Sequence, residues 1–262
     1  MPEVQTADAT LHVEIDGEGT PVTVFAHGLT NSCKELAAFT PMAAGTKVRF
    51  CFRGHGHSST PDAGAYKFAD FARDLDDVAR AYRATRAVGT SLGAGAITNL
   101  VARQPTRFDR LVFLLPAALD VRMADHRDFD RVAELLETRH RDQAIEEIMA
   151  DSDRLGRYGD APWLREFALM LWQDVNPIGV SRAIREAVRD VAVSDRELLR
   201  AVEAPTLIIC HEGDPIHPAE LGRVLTEIMP NAELIMLSGE EELLEAIPEL
   251  VGRVSAFLAA DA

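Results

Sequence analysis

The sequence predicts an α/β fold, a mostly parallel central sheet with helices over both faces, on three observations. Short β-rich runs alternate with longer amphipathic segments along most of the chain. Two of those runs, VTVFA at 22–26 and LIIC at 207–210, are almost continuously apolar, as strands buried on both faces must be. One short strand pattern runs through G-x-S-x-G directly into a helical pattern, a sharp strand-to-helix junction.

Taken in order, the strand patterns are 11–15, 22–26, 47–52, 87–89, 110–115, 205–210 and 233–237. The DGEG turn at 16–19 predicts that the first two pair as an antiparallel hairpin. Phe68, Phe71, Leu75, Val78 and Tyr82 recur at helical spacing, and AGAITNLVARQ continues from the glycine-flanked serine as a second helix. Residues 241–259 form a C-terminal amphipathic helix. Residues 120–196 interrupt the alternation with helix patterns at 128–149, 161–173 and 181–191 and no strand pattern. They divide the chain into a core of 1–119 plus 197–262 and a helical insertion of 120–196. The insertion carries an apolar stripe, Trp163, Phe167, Met170 and Leu171, suited either to packing on the core or to covering a pocket.

Composition narrows the function. The chain has 262 residues, 47% hydrophobic and 26% charged, the balance of a globular protein with a sizeable core. A net charge of −15 argues against nucleic acid or an anionic membrane as partner, since phosphate recognition needs clustered cations. No apolar run is long enough for a membrane span, and the first residues lack a signal-peptide pattern, which sets the expectation of a cytoplasmic protein. Cys33, Cys51 and Cys210 are widely spaced and form neither a zinc motif nor a disulfide framework. Cys51 and Cys210 lie in apolar strand patterns as buried thiols, whereas Cys33 sits in a loop that can approach a site.

Chemistry concentrates at the ends of the strand patterns. Gly89 and Gly93 flank Ser91 and permit the tight turn that projects its hydroxyl from the sheet, with a helix N-terminus behind it suited to an oxyanion. His27-Gly28-Leu29 follows VTVFA, and the bend at Gly28 allows the Leu29 N–H to face the serine. With the N–H of Leu92 it would form a two-donor oxyanion hole. His27 is expected to hold this loop by a hydrogen bond rather than act as a base. A third turn, Arg53-Gly54-His55-Gly56-His57-Ser58, follows the next strand, and Cys210-His211-Glu212-Gly213-Asp214-Pro215-Ile216-His217 follows PTLII.

These signals in this order resemble the α/β-hydrolase fold family, over nearly the whole chain. The resemblance implies a serine-hydrolase fold in which 120–196 is a helical cap and RGHGHS is largely structural. It implies Ser91 as nucleophile and Asp214 as the acid of a triad, with Glu212 and Asp120 as weaker alternatives. It also implies a catalytic histidine after the last strand. There the sequence reads Ser238-Gly239-Glu240-Glu241-Glu242, and no histidine follows His217. Two substitutes are available: Glu240, if a desolvated setting or Asp214 raises its pKa toward neutrality, and His217, three residues beyond Asp214 on the acid loop.

The expected function is hydrolysis of a small ester, lactone or thioester by Ser91 with a non-standard or impaired triad. The alternatives are a catalytically inactive binder of a small apolar ligand, and a lyase or cyclase on the same scaffold. His211, Glu212, Asp214 and His217 match no compact metal motif, so neither metal nor cofactor is expected. The partner is a small, apolar molecule, and a homodimer is one assembly the sequence admits.

Overall fold

The computed structural model describes residues 2–40, 43–154 and 162–260. Eight strands form one sheet: β1 (Glu3–Gln5), β2 (Thr10–Asp16), β3 (Val22–Ala26), β4 (Thr46–Phe50), β5 (Arg86–Thr90), β6 (Arg110–Leu114), β7 (Thr206–His211) and β8 (Ala232–Leu237). Their spatial order is β1-β2-β4-β3-β5-β6-β7-β8. β1 and β2 run antiparallel, β2 pairs antiparallel with β4, and every later pairing is parallel.

The expected hairpin between 11–15 and 22–26 does not form. β4 lies between β2 and β3, because β3 is apolar along most of its length and takes an interior place bonded to β4 and β5 on its two edges. β2 carries Glu14 and Asp16 among its apolar residues and stays toward the sheet's margin.

Period-2 alternation of side chains feeds two separate cores. Val24, Ala87, Leu111, Phe113, Ile208 and Cys210 point into one, together with α1 (Phe68–Ala81), α2 (Leu92–Arg103) and α7 (Ala219–Ile228). Phe25, Val88, Val112, Leu114, Leu207 and Ile209 point into the other, under α8 (Glu240–Ala259) and the 3-10 turn Glu35–Phe39. A large aliphatic or aromatic side chain buried this way contributes roughly 1.5–3 kcal/mol, so the central strands anchor the loops at their C-terminal ends.

Among the described residues, four α-helices lie between β6 and β7: α3 (Arg127–Thr138), α4 (Arg141–Arg154), α5 (Pro162–Trp172) and α6 (Pro177–Ala187). The single pattern read across 128–149 is two helices. From Glu137 to Gln143 there is no apolar residue, so a continued helix would present nearly two turns with nothing to bury, and the chain turns extended at Arg139 instead.

Candidate active site

Ser91 sits between β5 and α2 with φ 50° and ψ −107°, a left-handed conformation that costs a non-glycine residue about 1–3 kcal/mol. The neighbouring glycines make this turn possible. A Cβ on Gly93 would stand 2.1 Å from the Ala26 carbonyl oxygen, and one on Gly89 would stand 2.5 Å from the Gly93 carbonyl carbon. Backbone occupies both places, so no side-chain adjustment makes room.

The loop after β3 lies beside this turn and is braced by buried groups. His27 is fully buried; its Nδ1 faces the Gly28 carbonyl at 2.7 Å, and its Nε2 accepts the Phe52 N–H at 3.0 Å. That pattern fixes the neutral tautomer with the proton on Nδ1, and burial together with His55 pushes the His27 pKa well below the usual histidine range. The imidazole holds the loop. His55 is also fully buried and packs between two carbonyls, Arg53 O at 2.9 Å and Leu29 O at 2.6 Å, so the RGHGHS turn is tied to Leu29. Glu35 accepts the Gly28 N–H at 2.7 Å and is bonded by the Asn31 amide. Burial raises the Glu35 pKa to about 7 against the opposing pull of those donors. Among the described residues, the N–H groups of Leu29 and Leu92 have no acceptor within the protein.

The loop after β7 brings an acid and an imidazole to the serine. Asp214 Oδ1 accepts the N–H groups of Ile216 at 2.8 Å and His217 at 3.0 Å, folding Asp214-Pro215-Ile216-His217 into a tight turn just ahead of α7. Within that turn His217 Nδ1 stands 2.8 Å from Asp214 Oδ2, and His217 Nε2 stands 3.0 Å from Ser91 Oγ. Burial pushes the Asp214 carboxyl up, but the hydrogen bond and charge of His217, with the two backbone N–H groups, outweigh it and bring the pKa down to about 2. A serine hydroxyl, an imidazole and an ionised carboxylate therefore stand in one hydrogen-bonded line.

His211, the last residue of β7, adds a second imidazole to the same carboxylate. Its Nε2 is 3.2 Å from Asp214 Oδ2 and its Nδ1 is 2.9 Å from the Glu212 carbonyl. The side chain is 8% exposed.

The remaining sequence-derived residues are elsewhere. Glu240 is exposed at the first position of α8, where a carboxylate suits the helix dipole, and the group on Ser91 Oγ is His217. In the same turn Glu242 accepts the Ser238 N–H at 2.6 Å. The two alternative acids are held by arginines: Asp120 is bidentate with Arg196 at 2.5 and 2.6 Å, and Glu212 pairs with Arg223. Trp163, Phe167 and Met170 are exposed on α5 and line no part of the pocket over Ser91.

That pocket spans about 440 Å³ including its mouth. Ser91, Leu29 and Leu92 lie on one side; Val121, Met123, Phe129 and Val188 form apolar walls, and Ile216 reaches in from the acid loop. Among the described residues Asp190 is its one charged lining residue, with Oδ2 accepting the Phe68 N–H at 3.0 Å. None of Val121, Met123 or Phe129 was singled out from sequence. Val121 and Met123 precede the first regular helix of the insertion, where no periodicity flags them.

A profile of the alpha/beta hydrolase fold matches residues 48–244. Several solved structures superpose over almost the whole chain. A hydrolase from Pseudomonas aeruginosa PA01 is 24% identical, with 99% of this chain and 98% of that one covered and a TM-score of 0.78. The enol-lactonase from Burkholderia xenovorans LB400 is 20% identical over 99% and 100%, TM-score 0.80. An esterase from Exiguobacterium antarcticum is 16% identical over 98% and 99%, TM-score 0.80. No protein of curated function matches the sequence. No helix among the described residues is long and apolar enough to cross a membrane.

Proposed function

We propose, from the premise that this chain belongs to the alpha/beta hydrolase fold family, that it is a serine hydrolase of small, largely apolar esters, lactones or thioesters whose triad is Ser91, His217 and Asp214. The observation that carries the reading is the unbroken line from Asp214 Oδ2 through both His217 nitrogens to Ser91 Oγ, at 2.8 and 3.0 Å. It favours catalysis over ligand binding alone, because a binding pocket has no use for an aligned base on a strained serine.

Each group has one task. Ser91 Oγ attacks the carbonyl carbon while His217 Nε2 takes its proton, and the carbonyl electrons move onto oxygen. The free N–H groups of Leu29 and Leu92 receive that oxyanion, held in place by the His27, His55 and Glu35 contacts on the loop. His217 then protonates the departing alkoxide or thiolate as the tetrahedral intermediate collapses to an acyl-serine. A water deprotonated by His217 attacks the acyl carbon, and the serine leaves with the proton. Asp214 stays ionised throughout, consistent with a pKa near 2, and stabilises the transient imidazolium.

In this reading residues 120–196 form a cap whose apolar contribution to the pocket includes Val121, Met123, Phe129 and Val188, and the core comprises 1–119 and 197–262. The walls favour a short to medium acyl chain or a small ring. The neighbouring esterase and enol-lactonase structures fit that substrate class. The test is a hydrolysis panel of esters and lactones graded by acyl length. Turnover concentrated on short to medium apolar acyl groups is expected, and activity confined to sugars or polyanionic substrates would overturn the substrate assignment.

A further inference from the structure

Away from Ser91, the sheet margin gathers donors of a different kind. His12 and Glu14 are two apart on β2 and project from the same face, and Cys33 descends onto that face from the loop after β3. One ring nitrogen of His12, a Glu14 carboxylate oxygen and Cys33 Sγ all lie within 4.8 Å of one another.

Two further features set this group apart from a chance cluster. His12 is 4% exposed, and among the described residues its buried Nε2 has no hydrogen-bond partner; the nearest carboxylate oxygen, Glu14 Oε1, is 3.6 Å away. A buried ring nitrogen left open carries a desolvation penalty that a bound ligand would remove. Cys33, also 4% exposed, is already fixed: its N–H points to Cys51 Sγ at 3.4 Å, and its carbonyl accepts from Arg49 Nη1 at 3.2 Å.

We propose that His12 Nε2, Glu14 and Cys33 Sγ form a binding site for a borderline divalent transition-metal ion of the zinc class. Imidazole, carboxylate and thiolate are the three donor types such an ion takes, and donors held within a few ångströms close on it with small side-chain rotations. On binding, the Cys33 thiol gives its proton to solvent, the ion gives up waters, and the two negative ligands neutralise the ion's charge. Arg49 is the competing cation, with Nη1 2.8 Å from Glu14 Oε2. It has a second anchor, since Nε and Nη2 both donate to Asp16 Oδ2 at 3.1 and 2.7 Å, so it can yield Glu14 without losing its charge partner. Exposed His57 stands beside the group, its ring packing edge-on to His12 at 5.2 Å between centroids. Bound metal would staple the loop that also carries Leu29 to β2.

The experiment titrates the tag-free, phosphine-reduced full chain with cobalt(II) and reads the near-ultraviolet thiolate-to-cobalt charge-transfer band. One equivalent should saturate the band and zinc should abolish it. Cys33→Ser should lose it, His12→Ala should weaken cobalt binding at least tenfold, and Glu14→Gln, on a partly exposed side chain, should weaken it in a protein that still folds. Ser91→Ala should bind as the wild type does. Zinc at a hundredfold excess over its dissociation constant should raise the wild-type Tm by about 5 °C and leave that of His12→Ala unmoved. A wild type without the band, or a band that survives in Cys33→Ser, overturns the site.

Discussion

The loops after β7 and β8 end neighbouring parallel strands, yet they do opposite things with their carboxylates. After β7, Asp214 is ringed by two backbone N–H groups and two imidazoles and is driven down to a pKa of about 2. After β8, Glu240 stands in solvent at the head of α8, and Glu242 caps the Ser238 N–H. The family resemblance places the base on the second of these loops; the geometry supplies an imidazole from the first. The lesson concerns where the constraint lies. Ser91 Oγ needs an imidazole nitrogen about 3 Å away with its other nitrogen on a carboxylate, and a tight turn that puts residues i and i+3 side by side meets that need from a single loop.

Breaking the β7 loop should have the largest effect. His217→Ala and Ser91→Ala should each lower kcat/KM by about 10³-fold or more, and the double variant should be little worse than either single one, measured by ester hydrolysis. Equal and additive small losses would show that the two residues do not act as a unit.

A third carboxylate extends the comparison. Glu35 is pushed up to about 7 rather than down, because burial outweighs its two donors. Its folded value exceeds the ordinary 4.5, so the folded state holds this proton more tightly, and the stability it confers is lost as pH rises from about 4.5 through 7. Glu35→Gln should therefore gain roughly 2 kcal/mol relative to the wild type on going from pH 5 to pH 8, read from denaturant unfolding at the two pH values. Asp214 runs the other way: its contribution is present above the ordinary carboxylate range and is lost as pH falls toward about 2.

Two smaller effects sharpen the picture. His211→Ala removes the second imidazole beside Asp214 while leaving the His217 bond, so kcat should fall about fivefold with KM unchanged, equivalent to about 1 kcal/mol of barrier. Glu240→Ala should stay within about twofold of the wild type in both constants, and a large loss there would return the base to the β8 loop.

Much of the fold was legible because burial on both faces writes itself into sequence. β3 matched its predicted limits, and β5, β6 and β7 shifted by only a residue or so. β1 was missed because three residues with one buried side chain carry no periodicity. The hairpin reading failed because turn chemistry favours a local pairing, whereas the apolar edges of β3 are satisfied only between β4 and β5. At the proposed site, Ser91 and the Leu29 and Leu92 positions were expected from glycine placement and strand ends, and Asp214 from the family resemblance. Selecting His217 over Glu240 could not be read that way, since that choice depends on the Asp214 turn closing on itself. The signal was present in Asp-Pro-Ile-His-Pro, where an acid that caps its own turn stands three residues before an imidazole. His12, Glu14 and Cys33 form no motif because a strand and a separate loop supply them.

The measurement that reaches the central claim most directly is intact-mass labelling with a fluorophosphonate probe, run in parallel on the wild type, His217→Ala and Glu240→Ala, with Ser91→Ala as the blank. The account predicts one adduct, on Ser91, in the wild type and Glu240→Ala, and none in His217→Ala over the same time. Labelling that persists in His217→Ala and disappears in Glu240→Ala would contradict it.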